Sequence, residues 1–419
     1  MRRILDLHLH SRYSRACSPR LTLANIAAAA DRKGVNIVAS GDFTHPAWFK
    51  SIQTELEEVG SGGLYRLKAG GHQSLFILST EVSLVYKDNG KARRLHLVVH
   101  APDLEAVAAL NKYLDAHYNI RSDGRPILGI SAPDFVRLCL NINPLFLIYP
   151  AHIWTPWYAV FGSKSGFDSL EECFHEETEN IYAYETGLSS DPAMNWRLSA
   201  LDKLTCLSNS DAHSLDNIGR EANVMILFKD DYASIYQIIK EHLRTENEQQ
   251  AGMLATIEFY PEEGMYHLDG HRDCAFSCQP EESRRLKNIC PICGKPLIIG
   301  VSNRVAALAD RPSGFCPTGA VPFRRLVELD KIIAEALGVK NRQAQKVAVV
   351  YQKLINEFGA ELFILMDLDL SRLKPSYPLI AAGIDRVRRG QLIIKPGFDG
   401  QYGQIRVFTE EEIRPAALF

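Results

Sequence analysis

Through the first half of the chain, short apolar runs alternate with helix-patterned segments, and run after run ends in a His, Asp or Glu. Leu5–Ser14 reads LDLHLHSRYS, and Val35–Ala39 runs into Gly41-Asp42-Phe43-Thr44-His45. Leu75–Leu78 delivers Glu81, Leu95–Val99 carries His96 with His100 just beyond, and Leu145–Tyr149 ends at His152. Ile181–Ala183 precedes Glu185, and Leu204–Leu207 precedes Asp211 and His213. Such alternation predicts an α/β architecture, in which functional side chains gather at the C-terminal ends of the strands. In the opening run an extended backbone places Asp6, His8 and His10 on one face, with Leu5, Leu7 and Leu9 on the other. Thr22–Lys33 and the segment that starts at Asp103 read as helices, the first stopped by Gly34.

Imidazoles mixed with carboxylates suit Zn²⁺, Mn²⁺ or Fe²⁺ better than Ca²⁺, which prefers oxygen shells, or a closed thiolate site. More such groups are present than one ion needs, so two or three ions sharing carboxylates are expected. A centre of this kind activates water and clamps a phosphoester, which makes phosphoester hydrolysis the expected chemistry. His96 and His100 are rivals for one ligand position. His72 lies in a glycine-rich turn, and His117 and His175 lie among solvated helix charges, so all three are set aside. Glu185 and Asp191 are the candidate catalytic carboxylates; Asp191 suits a general acid–base, a carboxylate that supports the ligands from behind, or a plain turn before its proline.

Between His152 and Glu185, aromatic residues bracket Gly162-Ser163-Lys164-Ser165-Gly166. Trp157, Phe161 and Phe167 could stack an extruded base while Lys164 and Ser165 hold its phosphate. The same aromatics could equally pack beneath a long loop.

The 419 residues suffice for two or three domains. No apolar run reaches membrane-spanning length and no signal-peptide pattern opens the chain, so a cytoplasmic, nucleoid-associated protein without a membrane partner is expected. Nine cysteines, mostly scattered, argue against a disulfide framework. Residues 1–270 carry 25 basic against 34 acidic side chains, whereas residues 271–419 carry 22 against 16. A net −9 followed by a net +6 suggests carboxylates in the first part and an anion partner for the second.

Residues 1–250 are expected to form the catalytic unit, with 241–266 as a charged connector. Cys274-x₃-Cys278 and Cys290-x₂-Cys293, eleven residues apart, form a structural zinc knuckle pattern within 265–300. His271 could replace one thiolate. Residues 301–419 read as a small, mainly helical domain that contacts DNA, with Arg388 and Arg389 before a glycine-rich turn as phosphate contacts.

Asp6-Leu7-His8-Leu9-His10-Ser11, Gly41-Asp42, Glu81, His96, His152 and Asp211-Ala212-His213 resemble the successive motifs of the polymerase-and-histidinol-phosphatase (PHP) superfamily. The resemblance implies a distorted seven-stranded β/α barrel. His8, His10, Glu81 and Asp211 would hold one ion, and Glu81 would bridge to a second held by His96 and His152. Asp42 or His45, with His213, would approach a third. The zinc knuckle, FGSKSG, ETGLSSDP and SNSDAHS further resemble the endonuclease Q family. That implies a divalent-metal endonuclease (Zn²⁺, Mn²⁺ or Mg²⁺) that nicks DNA 5′ of a deaminated base (uracil, hypoxanthine or xanthine) or an abasic site. Two alternatives are a small-molecule phosphatase of the same superfamily and a non-catalytic DNA-binding scaffold. A sliding clamp is left open as a recruiting partner, since no clamp-binding peptide stands out before Phe419.

Overall fold

The computed structural model describes residues 1–413; the stretch that ends at Phe419, and with it the question of a clamp-binding peptide, lies outside the described residues. β1 (Arg2–Asp6) pairs in parallel with β2 (Ile37–Ala39), which pairs in parallel with β5 (Leu75–Ile77). The hairpin β3 (Leu56–Glu58) and β4 (Leu64–Leu67) extends this edge. A second sheet follows at once, in the order β8 (Ile127–Leu128), β6 (Ser79–Asp88), β7 (Lys91–His100), β9 (Leu147–Pro150). β10 (Ala183–Glu185) and β11 (Thr205–Leu207) form a short parallel pair. The circuit then returns to the start, because Leu9 bridges to Ala212 and β12 (Ala222–Ile226) runs antiparallel to β1. The architecture is mixed α/β, with pairing divided among an eight-stranded, a four-stranded and a two-stranded sheet in this circuit. The expected count of seven is not reproduced as one hydrogen-bonded sheet.

Leu5, Leu7, Ile37, Ile77, Val98, Tyr149 and Leu207 are fully buried or nearly so in one cluster that fills the circuit. Burial of such side chains is worth about 1.5–3 kcal/mol each, which fixes strand register at the level where the polar residues emerge. Leu9 belongs instead to the outer cluster with the helices. Regular alternation therefore ends at Leu9; His8 and His10 still turn into one ligand group, as expected, while Asp6 does not join it. Asp6 accepts from the amides of Ser210 (3.0 Å) and Gly219 (2.9 Å) and ties down the loop that carries Asp211.

The helix Leu23–Lys33 starts at Thr22, whose hydroxyl caps Asn25, and Leu104–His117 starts at Asp103, which caps Ala106; such caps contribute about 1 kcal/mol each. The region expected as a connector is corrected: Gly252–Glu258 is a strand, β13, paired with β12. A short hairpin, β14 (Asp269–His271) and β15 (Phe276–Cys278), opens the cysteine module. Beyond it β16 (Phe323–Arg325) pairs in parallel with β13, so the eight-stranded sheet takes strands from both sides of the cysteine module.

Helices Leu329–Ala336, Gln345–Phe358, Glu361–Met366 and Pro378–Arg388 share one continuous apolar core with the first unit. Lys33 pairs with the buried Glu361 at 2.8 Å across this junction. Among the described residues no helix is long and apolar enough to cross a membrane.

Candidate metal centre

His8 and His10 lie just past β1, where their segment is stitched to the Ser210–Ala212 turn. The Asp211 amide donates to the His8 carbonyl (3.0 Å), and the His10 amide donates to that of Ala212 (3.1 Å). Glu81 comes from β6, His96 from β7 and His152 from the turn after β9. One ligand atom each from His8, His10, Glu81 and Asp211 lies within 4.8 Å of the others, and the same holds for Glu81, His96 and His152. Glu81 belongs to both groups. His96 Nδ1 is 2.8 Å and His152 Nε2 3.1 Å from Glu81 Oε1, while His10 Nε2 is 3.3 Å from Glu81 Oε2 and 3.1 Å from Asp211 Oδ1.

Other residues aim these imidazoles. Glu185 accepts from His8 Nδ1 (2.9 Å), the His152 amide (3.1 Å) and Asn209 Nδ2 (2.9 Å). His8 Nε2 is thereby turned into the cluster, where it is buried without a hydrogen-bond partner, 3.8 Å from both Glu81 Oε1 and Asp211 Oδ1. A buried imidazole nitrogen left open between two carboxylates, its ring held from behind by a third, is what a divalent ion requires. The donor set therefore fits a divalent metal. Asp42, His152 and Asp211 all adopt left-handed backbone, with φ of 45°, 30° and 45°, a strain that persists where surrounding structure enforces it. At Gly187 a Cβ would lie 2.4 Å from that of His152, so only glycine lets the chain cross there.

Charge is tightly coupled in this pocket. Burial works against the charged form of His8, but Glu185, Glu81 and Asp211 outweigh it and push its imidazole up to about 9. Burial also opposes ionisation of Glu81, yet His96, Arg125 and the other imidazoles hold it well below the usual carboxylate range. His96 goes the other way, down to about 4, because burial dominates.

Several expected site residues stand elsewhere. Asp42 is fully enclosed: it accepts from His10 Nδ1 (3.0 Å), the Ser11 amide and hydroxyl (2.7 Å each) and the Ser14 hydroxyl (2.8 Å). It braces His10 and lies outside both ligand groups. His45 bonds the Arg121 carbonyl (3.1 Å) and stacks on Tyr13. His213 lies beside the cluster, its Nδ1 3.6 Å from Asp211 Oδ1. His100 lies on the same strand face as His96 but further along it, where its Nε2 meets the Tyr149 hydroxyl (3.1 Å); His96 is the one that joins the ligand groups. Glu185, expected as a catalytic carboxylate, is engaged by His8, the His152 amide and Asn209. Asp191 is buried, caps a short helix at Met194 and pairs with Arg325, so the acid–base role expected for it is corrected.

Phe161 and Phe167 are buried packing residues, against Trp154 and beneath the Arg93 guanidinium, not exposed platforms. Lys164 and Ser165 line a separate polar cavity of about 740 Å³ with Arg93 and Arg304. Trp157 is 41% exposed and meets Tyr266 edge to face at 5.8 Å. Both line a cavity of about 620 Å³ that also takes in His213, Arg220, Phe259 and Arg342. Arg388 is spent on the carbonyls of Ile364, Leu365 and Leu368, where it caps a helix end, and Arg389 pairs with Asp385 on its own helix. In the cysteine module His271, Cys274, Cys290 and Cys293 gather within 4.8 Å; Cys278 is not in that set, although it packs in the same small apolar cluster as Cys290 and Cys274. Sequence reasoning missed Arg125, Asn209, Tyr266 and Arg342, which follow no ligand spacing and reach the site from loops or the second half of the chain.

Residues 328–391 match the MJ0043 C-terminal domain family. The uncharacterised protein YqxK of Bacillus subtilis is 29% identical, over 96% of this chain and 98% of its own. The uncharacterised protein MJ0043 of Methanocaldococcus jannaschii is 29% identical over 60% of this chain, which spans only 31% of that relative. The crystal structure of PfuEndoQ, a lesion-specific endonuclease from Pyrococcus furiosus, superposes with a TM-score of 0.85 at 30% identity, covering 100% of this chain and 98% of that one. Endonuclease Q in complex with a 27-mer duplex bearing an abasic lesion at its active site gives 0.84 at 30% identity, over 99% and 98%. Fold and centre together define a metal-dependent nuclease. At this identity over the full length of both chains, the protein belongs to the endonuclease Q family.

Proposed function

We propose that this chain is a DNA-repair endonuclease that nicks the phosphodiester 5′ of a deaminated base (uracil, hypoxanthine or xanthine) or an abasic site. The observation that carries the reading is the sharing of Glu81 by two ligand groups, beside a cavity of about 620 Å³. His8, His10, Glu81 and Asp211 would hold one divalent ion, and Glu81, His96 and His152 a second. Bound there, such ions supply Lewis acidity to phosphate oxygens and lower the pKa of water.

The chain's own residues do the rest. Glu185 and Asp42 fix the rings of His8 and His10, and Thr155 holds His152 Nδ1 at 3.1 Å. The cavity between Trp157 and the Phe259–His267 segment receives the extruded nucleotide, with Trp157 and Tyr266 as apolar walls. Arg220 and Arg342 line the same cavity and supply positive charge for a phosphate. Extrusion is cheapest where pairing is already weak, which favours mismatched uracil and abasic positions over intact pairs. Residues 1–258 supply the nuclease centre, the cysteine module holds zinc, and the later helices complete the cavity and grip the duplex.

The test is a 5′-labelled duplex carrying one uracil or one abasic site, with an undamaged control, incubated with Mn²⁺ or Mg²⁺. A single nick 5′ of the lesion and an intact control are expected. Equal cutting of both, or cutting of neither, overturns the reading.

A further inference from the structure

The loop that precedes β8 carries a residue that no ligand pattern marks. Arg125 places Nη1 2.9 Å from Glu81 Oε2, on the carboxylate common to both ligand groups, and its side chain remains 23% exposed. Its other guanidinium N–H groups make no hydrogen bond among the described residues. The loop is fastened on all sides. The Gly124 amide donates to the Tyr13 carbonyl (3.0 Å), the Thr44 hydroxyl to the Gly124 carbonyl (3.2 Å), and the Arg15 and Arg125 amides to Asp123. His45 holds the Arg121 carbonyl, and the Ser83 amide donates to that of Pro126. Gly124 presses so closely on the Asp42 enclosure that a Cβ would lie 2.3 Å from Asp42 Oδ2 and 2.4 Å from the Ser14 hydroxyl. The space beside Asp42, where a third ion was expected, is thus filled by protein, and the next group along the chain is a fixed guanidinium.

We infer that Arg125 contacts the scissile phosphate and supplies the positive charge that a third ion would otherwise bring. The inference rests on the nuclease reading above. A guanidinium suits this role because it keeps its charge at any working pH and offers donors in a fork that matches phosphate oxygens. One edge rests on Glu81 and fixes its position, and the rest of the guanidinium, partly exposed and without a hydrogen bond among the described residues, is left to meet a phosphate. A preorganised donor aimed at charge that grows in the transition state acts on kcat more than on ground-state binding.

The experiment uses full-length protein reconstituted with Mn²⁺, as wild type, Arg125→Gln and Arg125→Lys. Mn²⁺ affinity is read by calorimetry, inorganic phosphate binding to the Mn²⁺-loaded protein by a second titration, and nicking of the uracil duplex by kcat and KM. Arg125→Gln is expected to keep Mn²⁺ affinity within about threefold, to bind phosphate at least about tenfold more weakly, and to lose on the order of 10²–10³ in kcat with KM little changed. Arg125→Lys is expected to recover part of the kcat. If the Gln variant loses Mn²⁺ affinity and regains full kcat at high Mn²⁺, Arg125 merely braces Glu81 and the inference fails. Unchanged phosphate affinity and kcat also overturn it. A wild-type protein that cuts no lesion defeats the nuclease reading alone, because the phosphate titration still decides for or against Arg125.

Discussion

Replacement of Glu185 by Gln isolates the contribution of a residue that lies outside both ligand groups but holds the His8 ring. In the folded protein Glu185 Oε1 accepts from the His152 amide (3.1 Å) and approaches His8 Nδ1 (3.2 Å), while Oε2 accepts from His8 Nδ1 and Asn209 Nδ2 (2.9 Å each). An amide can keep an oxygen at the first position, but it then turns its NH₂ toward the NH₂ of Asn209. Asn209 cannot flip in response, because its Oδ1 already accepts from the Leu7 amide (3.0 Å) and Asn223 Nδ2 (2.9 Å). One buried donor is stranded, at a cost of about 1–3 kcal/mol. The charge that keeps His8 oriented is lost as well, which by analogy with other carboxylate–histidine pairs lowers metal affinity by about 10–100-fold. Mn²⁺ titration of chelator-stripped protein reads the affinity, and nicking at limiting and saturating Mn²⁺ reads the consequence. Activity should fall at limiting metal and largely recover at saturation. Unchanged Mn²⁺ affinity would refute the claim that Glu185 sets His8 for a metal.

Further expectations concern charge and the cysteine module. Burial, with Asp191 nearby, pushes the Glu258 carboxyl up to about 8. The folded state therefore keeps a proton that the unfolded chain releases above about pH 4.5, so this carboxyl and that of the neighbouring Glu221, raised by the same burial, make stability fall as pH rises from that value toward 8. Denaturant midpoints should show this slope, and Glu258→Gln should flatten it. Asp191→Asn breaks a buried pair with Arg325 and should cost about 3 kcal/mol of stability in urea unfolding while kcat stays within a few-fold of wild type. Zinc content should be lost in Cys293→Ser and reduced in His271→Ala but retained in Cys278→Ser, as read by elemental analysis of purified protein.

Much of the centre was legible because ligand types recurred at strand ends, and a strand end is a place that sequence pattern can find. His8, His10, Glu81, His152 and Asp211 were picked out that way, His96 was preferred to His100 only through the family resemblance, and all six lie together. The misassignments share a physical cause. Asp42 and Asp191 are polar residues at the right chain positions, but whether a carboxylate meets an ion or a hydroxyl, amide or arginine depends on neighbours far away in sequence. For Asp191 that neighbour is Arg325, 134 positions on. For Phe161 and Phe167 the sequence left stacking platform and buried packing equally open, and burial wins because the glycine-bearing loop folds back over them. Arg125 was invisible because one arginine after a turn carries no spacing signal. Residues 241–266 were misread as a connector because they are charged and irregular in pattern, while β13 and β16 in fact extend the first sheet.

Anomalous diffraction from crystals of the Mn²⁺-loaded protein tests the shared carboxylate most directly. Two peaks are expected, one among His8, His10 and Asp211 and the other between His96 and His152, with Glu81 reaching both. A single peak, or ions bound away from Glu81, would contradict the centre from which the nuclease reading is built.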